Sequence, residues 1–418
     1  MSGKYKHDAK NVAFNVSRRH FFRFGAASIG ALALAGRADL AGADDTSIEL
    51  PFANGKRPLV AYPQKRPLIV MTSRAVNLET PFHIFNEGAF TPNDAFFVRW
   101  NSSAMPTHID ATNFRINIRG RVKTPLSISV EDLKKMPAVE IAAVCQCAGN
   151  SRGFSNPRVT GGQWGNGAMG NAKWTGVRLK DLLDKAGLEA DATRVRFNGL
   201  DKPSAPKVPD FMKSLEMDVA LGPDILVAYA MNDEALPVLN GFPVRLVVPG
   251  WYATYWIKML DDIEVMNSED ESFFMKASYR MPAGTCGCVE PGQKPAKTVP
   301  ITRFTIRSFI TSLQDGNQVK GNQPHTVKGI AFDSGFGIQR VLFSSDGGKQ
   351  WNETTLGKDH GKYSFREWQI PFKPARGKSY ALMAMAVSTI GESQSATPLW
   401  NPSGYSRNVI ETVNVKAI

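Results

Sequence analysis

The last third of the chain consists of short β-type runs separated by turn signals. The turns include Asp346-Gly347 and the stretch from Pro374 to Gly377. The runs are VPITRFTIRSFITS, HTVKGIAF, IQRVLFSSDGGKQWNET, YSFREWQIPF and SYALMAMAVS. Short strands at this regular spacing are typical of a two-sheet sandwich of the immunoglobulin type. We therefore predict an all-β immunoglobulin-like domain over residues 298–418, with its boundary near the segment from Pro291 to Thr298.

The region before this boundary, residues 86–297, mixes helix and strand patterns. SVEDLKKMP predicts a short helix capped by Ser129, with Asp132 at the capping-box position, and RLKDLLDKAG predicts an amphipathic helix that ends at Gly187. Strands are predicted for FRINIRGRV, AVEIAAVCQC, TRVRFNGLD and FPVRLVVPG. The expected fold class is α+β, with a mixed α/β domain followed by the sandwich. Residues 44–85, rich in proline and basic residues, predict an irregular N-terminal arm.

Residues 1–43 have the pattern of an export signal. The pair Arg18-Arg19 precedes a small-residue, mildly apolar stretch from Gly25 to Gly36, and Ala41-Gly42-Ala43 forms an A-x-A cleavage site. This pattern predicts a twin-arginine signal peptide and a mature chain in the periplasm. The apolar stretch is far short of the ~20 residues that a membrane span needs, so a membrane protein is not expected.

The net formal charge is +12, and the first 43 residues contribute seven Lys or Arg against two Asp or Glu. The moderate excess in the remainder favours small anionic ligands or an acidic partner over nucleic acid, because no long basic run occurs. The chain lacks a C-x-x-C-H motif and a G-x-G-x-x-G motif after a strand. Covalent haem and a Rossmann nucleotide site are therefore not expected.

The four cysteines form two C-x-C pairs, Cys145/Cys147 and Cys286/Cys288. Four cysteines in an exported protein are compatible with two disulfides. A bridge within either pair would be strained, so this interpretation predicts cross-pairing between the two. A tetrahedral zinc site is an alternative, although C-x-C is not the usual spacing. Cys147 is also a candidate metal ligand, because Arg152 and a tight glycine turn follow it.

Several longer motifs, taken in their order along the chain, resemble one known family. The motifs are VCQCAGNSR, QWGNGAMGNAKWTGVRLKDLL, FNGLD, AYAMNDEALPVLNGFPVRLVVPG, WIKML and GIAFDSGFGIQRVLFSSDGGKQW…PLWNPSGY. Together they resemble the molybdenum domain and the dimerisation domain of the sulfite oxidase family, and the resemblance covers nearly the whole mature chain. It implies a molybdopterin-binding catalytic domain over residues 86–297 and a dimerisation domain over residues 298–418.

The resemblance also implies the site residues. Cys147 would bind molybdenum, with Cys145 as a buried neighbour, because a soft, charged thiolate is a strong donor to this metal. The remaining assignments concern the pterin cofactor and the substrate pocket. The implied cofactor-binding residues are Phe97, Val98, Arg99, Trp100, Asn101, Asp201, Asn240, Arg245, Trp256, Ile257 and Lys258. The implied substrate-pocket residues are Arg99, Arg152, Trp164 and Tyr279.

This sequence departs from the family pattern at three positions. Asn101 and Asn240 stand where the animal enzymes carry histidine, and asparagine cannot carry a charge. Ser403 stands where a further pocket arginine is expected from the C-terminal domain. Arg407 and Arg280 are candidate substitutes for that arginine.

The resemblance implies a periplasmic sulfite dehydrogenase of the bacterial branch, which oxidises sulfite to sulfate at a molybdenum–molybdopterin centre. Without haem in this chain, the electrons are expected to leave to a separate c-type cytochrome. The dimerisation domain predicts a homodimer. Two alternatives stay open: a molybdenum reductase of nitrate or S-oxides on the same fold, and an exported binding protein whose cysteines form disulfides.

Overall fold

A computed structural model describes residues 46–418, so the predicted export signal and the first residues of the arm lie outside the described part. The described chain is mostly β, and its α-helices are short. None of these helices is long and apolar enough to cross a bilayer. The α-helices are α1 (Val130–Lys135), α2 (Leu179–Ala186), α3 (Met217–Ala220) and α4 (Phe273–Lys276).

The N-terminal arm forms an antiparallel sheet in which the strands follow chain order. Its strands are β1 (Ser47–Glu49), β2 (Lys56–Val60), β3 (Leu68–Ser73), β4 (Val76–Glu79) and β5 (Val98–Arg99). The prediction of an irregular arm was therefore wrong. Proline and basic residues hide the strand pattern there: in β2, exposed and half-buried residues alternate along Lys-Arg-Pro-Leu-Val. The sheet ends at β5, which carries Arg99.

Two further sheets form the middle of the chain. One has the order β11-β10-β15-β6-β7, in which β15 and β6 are parallel, and the other has the order β13-β12-β9-β8, with β14 paired to β12. Their strands are β6 (Arg115–Gly120), β7 (Leu126–Ser129), β8 (Val139–Gln146), β9 (Met169–Arg178), β10 (Arg194–Gly199), β11 (Lys213–Glu216), β12 (Leu226–Met231), β13 (Glu234–Ala235), β14 (Arg245–Val247) and β15 (Leu260–Met266).

The local signals for the two predicted helices are confirmed. The Ser129 hydroxyl accepts a hydrogen bond from the Asp132 backbone N–H at 3.0 Å, which caps α1. Helix α2 ends at Gly187, whose φ of +69° lies in the left-handed region that glycine adopts without steric cost. The predicted strands of this region also form, and β8 ends one residue before Cys147.

The C-terminal region contains a hairpin followed by two sheets. The sheets have the orders β18-β20-β24-β23 and β19-β26-β25-β21-β22. Their bounds, after the hairpin of β16 (Arg280–Pro282) and β17 (Thr298–Pro300), are β18 (Arg307–Ile310), β19 (Asn317–Val319), β20 (His325–Phe332), β21 (Ile338–Ser344), β22 (Asn352–Glu353), β23 (Thr355–Leu356), β24 (Arg366–Phe372), β25 (Ser379–Ser388) and β26 (Thr412–Ala417).

An apolar core joins the two C-terminal sheets. Val327 and Trp368 of one sheet share it with Phe343 and Leu382 of the other. The short strands predicted from the sequence are thus present, and the immunoglobulin-type arrangement stays a prediction. A second, larger core extends from the middle sheets to Phe309, Phe332 and Phe365, so the C-terminal region packs directly on the middle of the chain.

Candidate active site

Cys147 lies at the point where strand β8 gives way to a tight turn. Its backbone N–H donates to the Ala168 carbonyl at 2.9 Å, and its own carbonyl accepts from the Asn150 N–H at 3.0 Å. The Asn150 side-chain oxygen in turn accepts from the Ala168 N–H at 2.9 Å. These bonds fix the Cys147 thiol, which is free and buried, at the end of the strand.

Cys145, the other member of this pair, is also free and buried. Burial raises the pKa of its thiol to about 11, although the nearby Arg245 opposes that shift. Cys145 is therefore a buried neighbour of Cys147, as the resemblance implies, and its thiol favours the protonated form.

An inner cavity, containing about 510 Å³ of atom-free space that is partly open to solvent, faces Cys147. Seven of the implied site residues other than Cys147 meet in its wall, so distant motifs converge here. The wall consists of Phe96, Phe97, Arg99, Asn101, Cys145, Cys147, Ala148, Phe211, Leu239, Asn240, Arg245, Ala253, Thr254, Lys258 and Tyr279.

The two inner cations, Arg245 and Lys258, are held by neutral groups. Arg245 donates to the carbonyls of Asn240 at 2.9 Å and Trp256 at 3.2 Å. Lys258 donates to the Arg99 carbonyl at 2.9 Å, and its Nζ lies 4.2 Å from the centre of the Trp100 ring. Burial lowers the pKa of both groups. Positive charge in such a place favours an anion in the cavity.

The remaining implied cofactor residues support this wall from behind. Trp100, Trp256 and Ile257 are buried, and Val98 packs in the core of the N-terminal sheet. Asp201 is buried beside Lys258: burial raises the pKa of its carboxyl, and the positive charge of Lys258 opposes the rise.

Asn240 lines the inner cavity, but its side chain is engaged with the protein. Its amide nitrogen donates to the Phe97 carbonyl at 3.0 Å, and its oxygen accepts from Lys65. Lys65 also donates to the carbonyls of Asn93 and Phe96, and burial lowers its pKa to about 7. Sequence reasoning missed Lys65, because it belongs to the arm that was predicted to be irregular.

An outer cavity with about 660 Å³ of atom-free space adjoins the inner one. Arg99, Asn101, Cys147 and Tyr279 belong to both walls. The Tyr279 hydroxyl donates to the Asn101 side-chain oxygen at 2.9 Å and accepts from Arg99 at 3.2 Å, and Arg99 also donates to Asn101 at 2.8 Å. Asn101 thus acts as the acceptor that ties Arg99 and Tyr279 together.

Arg152 forms the far side of the outer cavity. Its Nε donates to the Ser403 carbonyl at 2.7 Å, and its guanidinium carbon lies 4.9 Å from the centre of the Tyr405 ring. The guanidinium passes so close to Gly149 and Gly161 that a Cβ at either position would lie 2.7 Å from it. Glycine at these two positions therefore leaves the space that Arg152 occupies.

Tyr405 is a site residue that the sequence reasoning missed. Its ring stacks on Tyr279 with 5.8 Å between the centroids and 14° between the planes. Burial raises the pKa of its hydroxyl to about 12, so the group stays protonated. A sequence signal for Tyr405 was available, because this residue follows Ser403 by two positions in the PLWNPSGY motif.

Both candidate substitutes for the missing arginine lie outside the two cavity walls. Arg407 forms two hydrogen bonds to Glu411, at 3.0 and 3.1 Å. Arg280 donates to the Met275 carbonyl and to Thr298. Those two suggestions were wrong, because each guanidinium is already bound elsewhere. Ser403 does line the outer cavity, where its carbonyl holds Arg152.

Trp164 lies one layer behind the outer wall. It is 2% exposed and belongs to the large core. Its Nε1 would lie 3.1 Å from a Cβ placed on Gly162, which lines the outer cavity. Trp164 therefore packs behind Gly162 and supports the wall of the outer cavity without lining it.

The second C-x-C pair has a different fate. Cys286 and Cys288 are joined by a disulfide within the pair. The predicted cross-pairing is therefore wrong, because Gly287, with φ of +57°, allows the turn that brings the two sulfurs together.

The groups around the inner cavity fit a molybdopterin cofactor. Within residues 46–418, no three His, Cys, Asp or Glu side chains are placed to hold a metal ion, so a metal here needs further ligands from a cofactor. Cys147 supplies one thiol, and Arg245 and Lys258 supply charge for a phosphate. Arg245 Nε and Thr254 Oγ1 are buried without a partner in the described part of the chain, and a polar ligand would satisfy them.

Comparison with known proteins supports the same cofactor. Residues 102–274 match the oxidoreductase molybdopterin binding domain, and residues 298–417 match the Mo-co oxidoreductase dimerisation domain. Mitochondrial sulfite oxidase of Rattus norvegicus is 33% identical over 386 residues, covering 88% of this chain and 69% of that protein. Sulfite oxidase of Arabidopsis thaliana is 31% identical over 331 residues, covering 76% of this chain and 83% of that protein.

The fold also matches a solved structure. The sulfane dehydrogenase SoxCD of Paracoccus pantotrophus superposes with a TM-score of 0.72 at 23% identity, covering 92% of this chain and 93% of that chain. At that sequence identity, the match shows a similar fold and gives no information on activity. The domain matches and the identity to the curated relatives together show that this chain belongs to the sulfite oxidase family of molybdenum–molybdopterin oxidoreductases.

Proposed function

We propose that this protein is a sulfite dehydrogenase, which oxidises sulfite to sulfate and passes the electrons to a c-type cytochrome. The observation that carries the proposal is the outer cavity: Arg99 and Arg152 face it, and within the described part of the chain its wall contains no Asp or Glu. The acceptors bound by the two guanidinium groups are neutral oxygens. Such a site favours a small anion close to Cys147.

The reaction is SO₃²⁻ + H₂O → SO₄²⁻ + 2 H⁺ + 2 e⁻. When bound, the molybdenum centre supplies two-electron oxygen-transfer chemistry. Arg99 and Arg152 bind and orient the anion by charge-assisted hydrogen bonds. The Tyr279 hydroxyl, held between Arg99 and Asn101, is placed to donate a hydrogen bond to an oxygen of the anion or of the product.

The location and partners are part of the proposal. The twin-arginine pattern of residues 1–43 supports export to the periplasm, where a soluble c-type cytochrome would accept single electrons. The match of residues 298–417 to a dimerisation domain supports a homodimer, for which two-fold symmetry is the usual arrangement.

A steady-state assay of the molybdenum-loaded protein tests the proposal. Sulfite should be oxidised with ferricyanide or a c-type cytochrome as acceptor, with about one molybdenum per chain and without hydrogen peroxide formation in air. Turnover of nitrate or an S-oxide with reduced viologen, and none of sulfite, would favour the reductase. Protein without molybdenum and without any of these activities would favour an exported binding protein.

A further inference from the structure

A fully buried arginine from the C-terminal region reaches the turn that carries Arg152. Arg307, the first residue of β18, is 0% exposed. It donates to the Ser151 hydroxyl at 3.1 Å, to the Glu411 carboxylate at 3.1 Å and to the Arg407 carbonyl at 2.7 Å. Its guanidinium carbon also lies 4.5 Å from the centre of the Phe309 ring. A charged group from the region that matches the dimerisation domain is therefore placed against the side chain of the residue before Arg152.

Ser151 receives this bond in an unusual conformation. Its φ of +69° is uncommon for a residue other than glycine and persists only where surrounding contacts hold it. Its N–H donates to the Gly165 carbonyl at 2.6 Å, and its hydroxyl donates to the Asn166 side-chain oxygen at 2.6 Å. Arg307 uses the remaining acceptor capacity of that hydroxyl, so this bond completes the set that fixes Ser151.

Arg152 follows Ser151 directly and begins the short 3₁₀ turn that leads away from Cys147. Its backbone direction, and hence the path of its guanidinium into the outer cavity, depends on the conformation of Ser151. Arg307 shares the Glu411 carboxylate with Arg407 and lies outside the wall of the outer cavity, so it is not placed to contact the anion. Its influence on the outer cavity therefore passes through the Ser151 hydroxyl.

We propose that Arg307 is a positioning residue for anion binding, which holds the Ser151 turn so that the Arg152 guanidinium faces the outer cavity. The proposal deepens the proposed function, on which it rests for the identity of the anion. It makes the C-terminal domain a part of the substrate site through a side chain that touches neither substrate nor cofactor.

A matched pair of variants tests this role. Arg307→Met and Arg407→Met each remove one partner of Glu411, but only Arg307 bonds to Ser151; in Arg407→Met the new side chain can still pack against Phe154. We expect Arg307→Met holoenzyme to show a KM for sulfite raised roughly tenfold at a nearly unchanged kcat, since displacing a binding group by a small distance has effects of this size. Arg407→Met is expected to leave KM within about twofold of wild type.

Sulfate binding, measured by calorimetry on the same holoenzymes, separates this proposal from the proposed function. Wild-type protein that binds sulfate but does not oxidise sulfite would refute the function, and the ranking of sulfate affinities would still test Arg307. Equal losses of affinity in both variants, or none in either, would overturn the positioning role.

A second variant keeps the test decisive if Arg307→Met does not fold. Ser151→Ala removes the hydroxyl that receives the bond, together with that hydroxyl's own bond to Asn166, and the affinity for sulfate and the KM for sulfite should shift in the same direction as for Arg307→Met. Combined in one chain, the two changes should cost little more than either alone. A Ser151→Ala protein with wild-type affinity for sulfate would contradict the proposal.

Discussion

The inner and outer cavities share four residues, yet the surroundings of their cationic side chains differ in residue composition. The inner cations are surrounded by large aromatic rings. The guanidinium carbon of Arg245 lies 5.1 Å from the ring centre of Trp174 and 5.6 Å from that of Trp256. The Nζ of Lys258 lies 4.2 Å from the ring centre of Trp100. The outer wall combines glycine, serine and threonine from separate loops with the rings of Phe274, Tyr279 and Tyr405. A rigid aromatic frame suits a group that stays bound, whereas small loop residues leave room for an anion that must enter and leave.

If a cofactor phosphate binds in the inner cavity and sulfite in the outer one, as proposed, the difference between the walls predicts that the first anion stays bound longer than the second. Burial among rings lowers the pKa of both inner cations, although the Asp201 carboxyl opposes the shift at Lys258, and a bound anion would further stabilise their charged forms. The folded state therefore gains most from the inner ligand. The outer arginines bind neutral oxygens beside a larger open volume, which is compatible with exchange.

The largest expected effect is at Cys147, which belongs to both walls. Cys147→Ser should abolish turnover and change the Mo(V) EPR signal, because the thiolate donor is lost. Cys145→Ser, two residues away and also buried, should have a much smaller effect on both. Equal losses in the two variants would mean that the metal ligand has been assigned to the wrong cysteine.

Arg245→Met should act on the inner cavity alone. Removing a charge-assisted contact of about 1.5–3 kcal/mol should weaken cofactor retention by roughly 10- to 150-fold. Molybdenum per chain after dialysis measures this, with Arg119→Met, which removes an exposed ion pair with Asp262 and Glu264, as the control. A fully loaded Arg245→Met protein with a raised KM for sulfite would show that Arg245 acts on substrate binding and not on cofactor retention.

Arg152→Met should affect substrate binding and leave cofactor retention unchanged. We expect KM for sulfite to rise by roughly tenfold or more, with molybdenum content unchanged, because Arg152 lines the outer cavity and not the inner one. The measurement is a substrate titration at constant molybdenum loading. An unchanged KM would remove Arg152 from the anion site, and a loss of molybdenum would move it to the inner cavity.

The smallest effect is expected at Tyr405. Tyr405→Leu removes the ring under the Arg152 guanidinium, and since exposed cation–π contacts contribute about 0.5–1 kcal/mol, KM for sulfite should rise about two- to fivefold. Tyr405→Phe keeps the ring and serves as the control, with KM close to wild type. A larger loss in Tyr405→Phe than in Tyr405→Leu would assign the role to the hydroxyl.

The same contrast explains how much the sequence could predict. The inner wall comes largely from compact motifs, such as 97–101 and 256–258, so a resemblance to known motifs finds it. The outer wall depends on contacts between distant loops: Ser403 and Tyr405 meet Arg152 only because the C-terminal region folds back on the middle of the chain. No local pattern shows that Arg280 and Arg407 are already engaged by Thr298 and Glu411.

The strands of the N-terminal arm were missed for a related reason. Their pairing is decided by neighbours along the sheet, and β5 joins it from beyond residue 97. Lys65 becomes meaningful only when this sheet brings it to Asn240. Periodicity over a few residues carries no information about such partners.

The disulfide between Cys286 and Cys288 offers a site at which a reporter group can be attached. Cys286 is exposed, whereas the thiols of Cys145 and Cys147 are buried. The Val289 N–H, just after the bridge, donates to the Trp400 carbonyl at 3.0 Å, next to the segment that holds Ser403 and Tyr405. After mild reduction, a fluorophore coupled to Cys286 would report on movements of the segment beside the outer cavity, while the buried Cys147 thiol would be protected from the reagent.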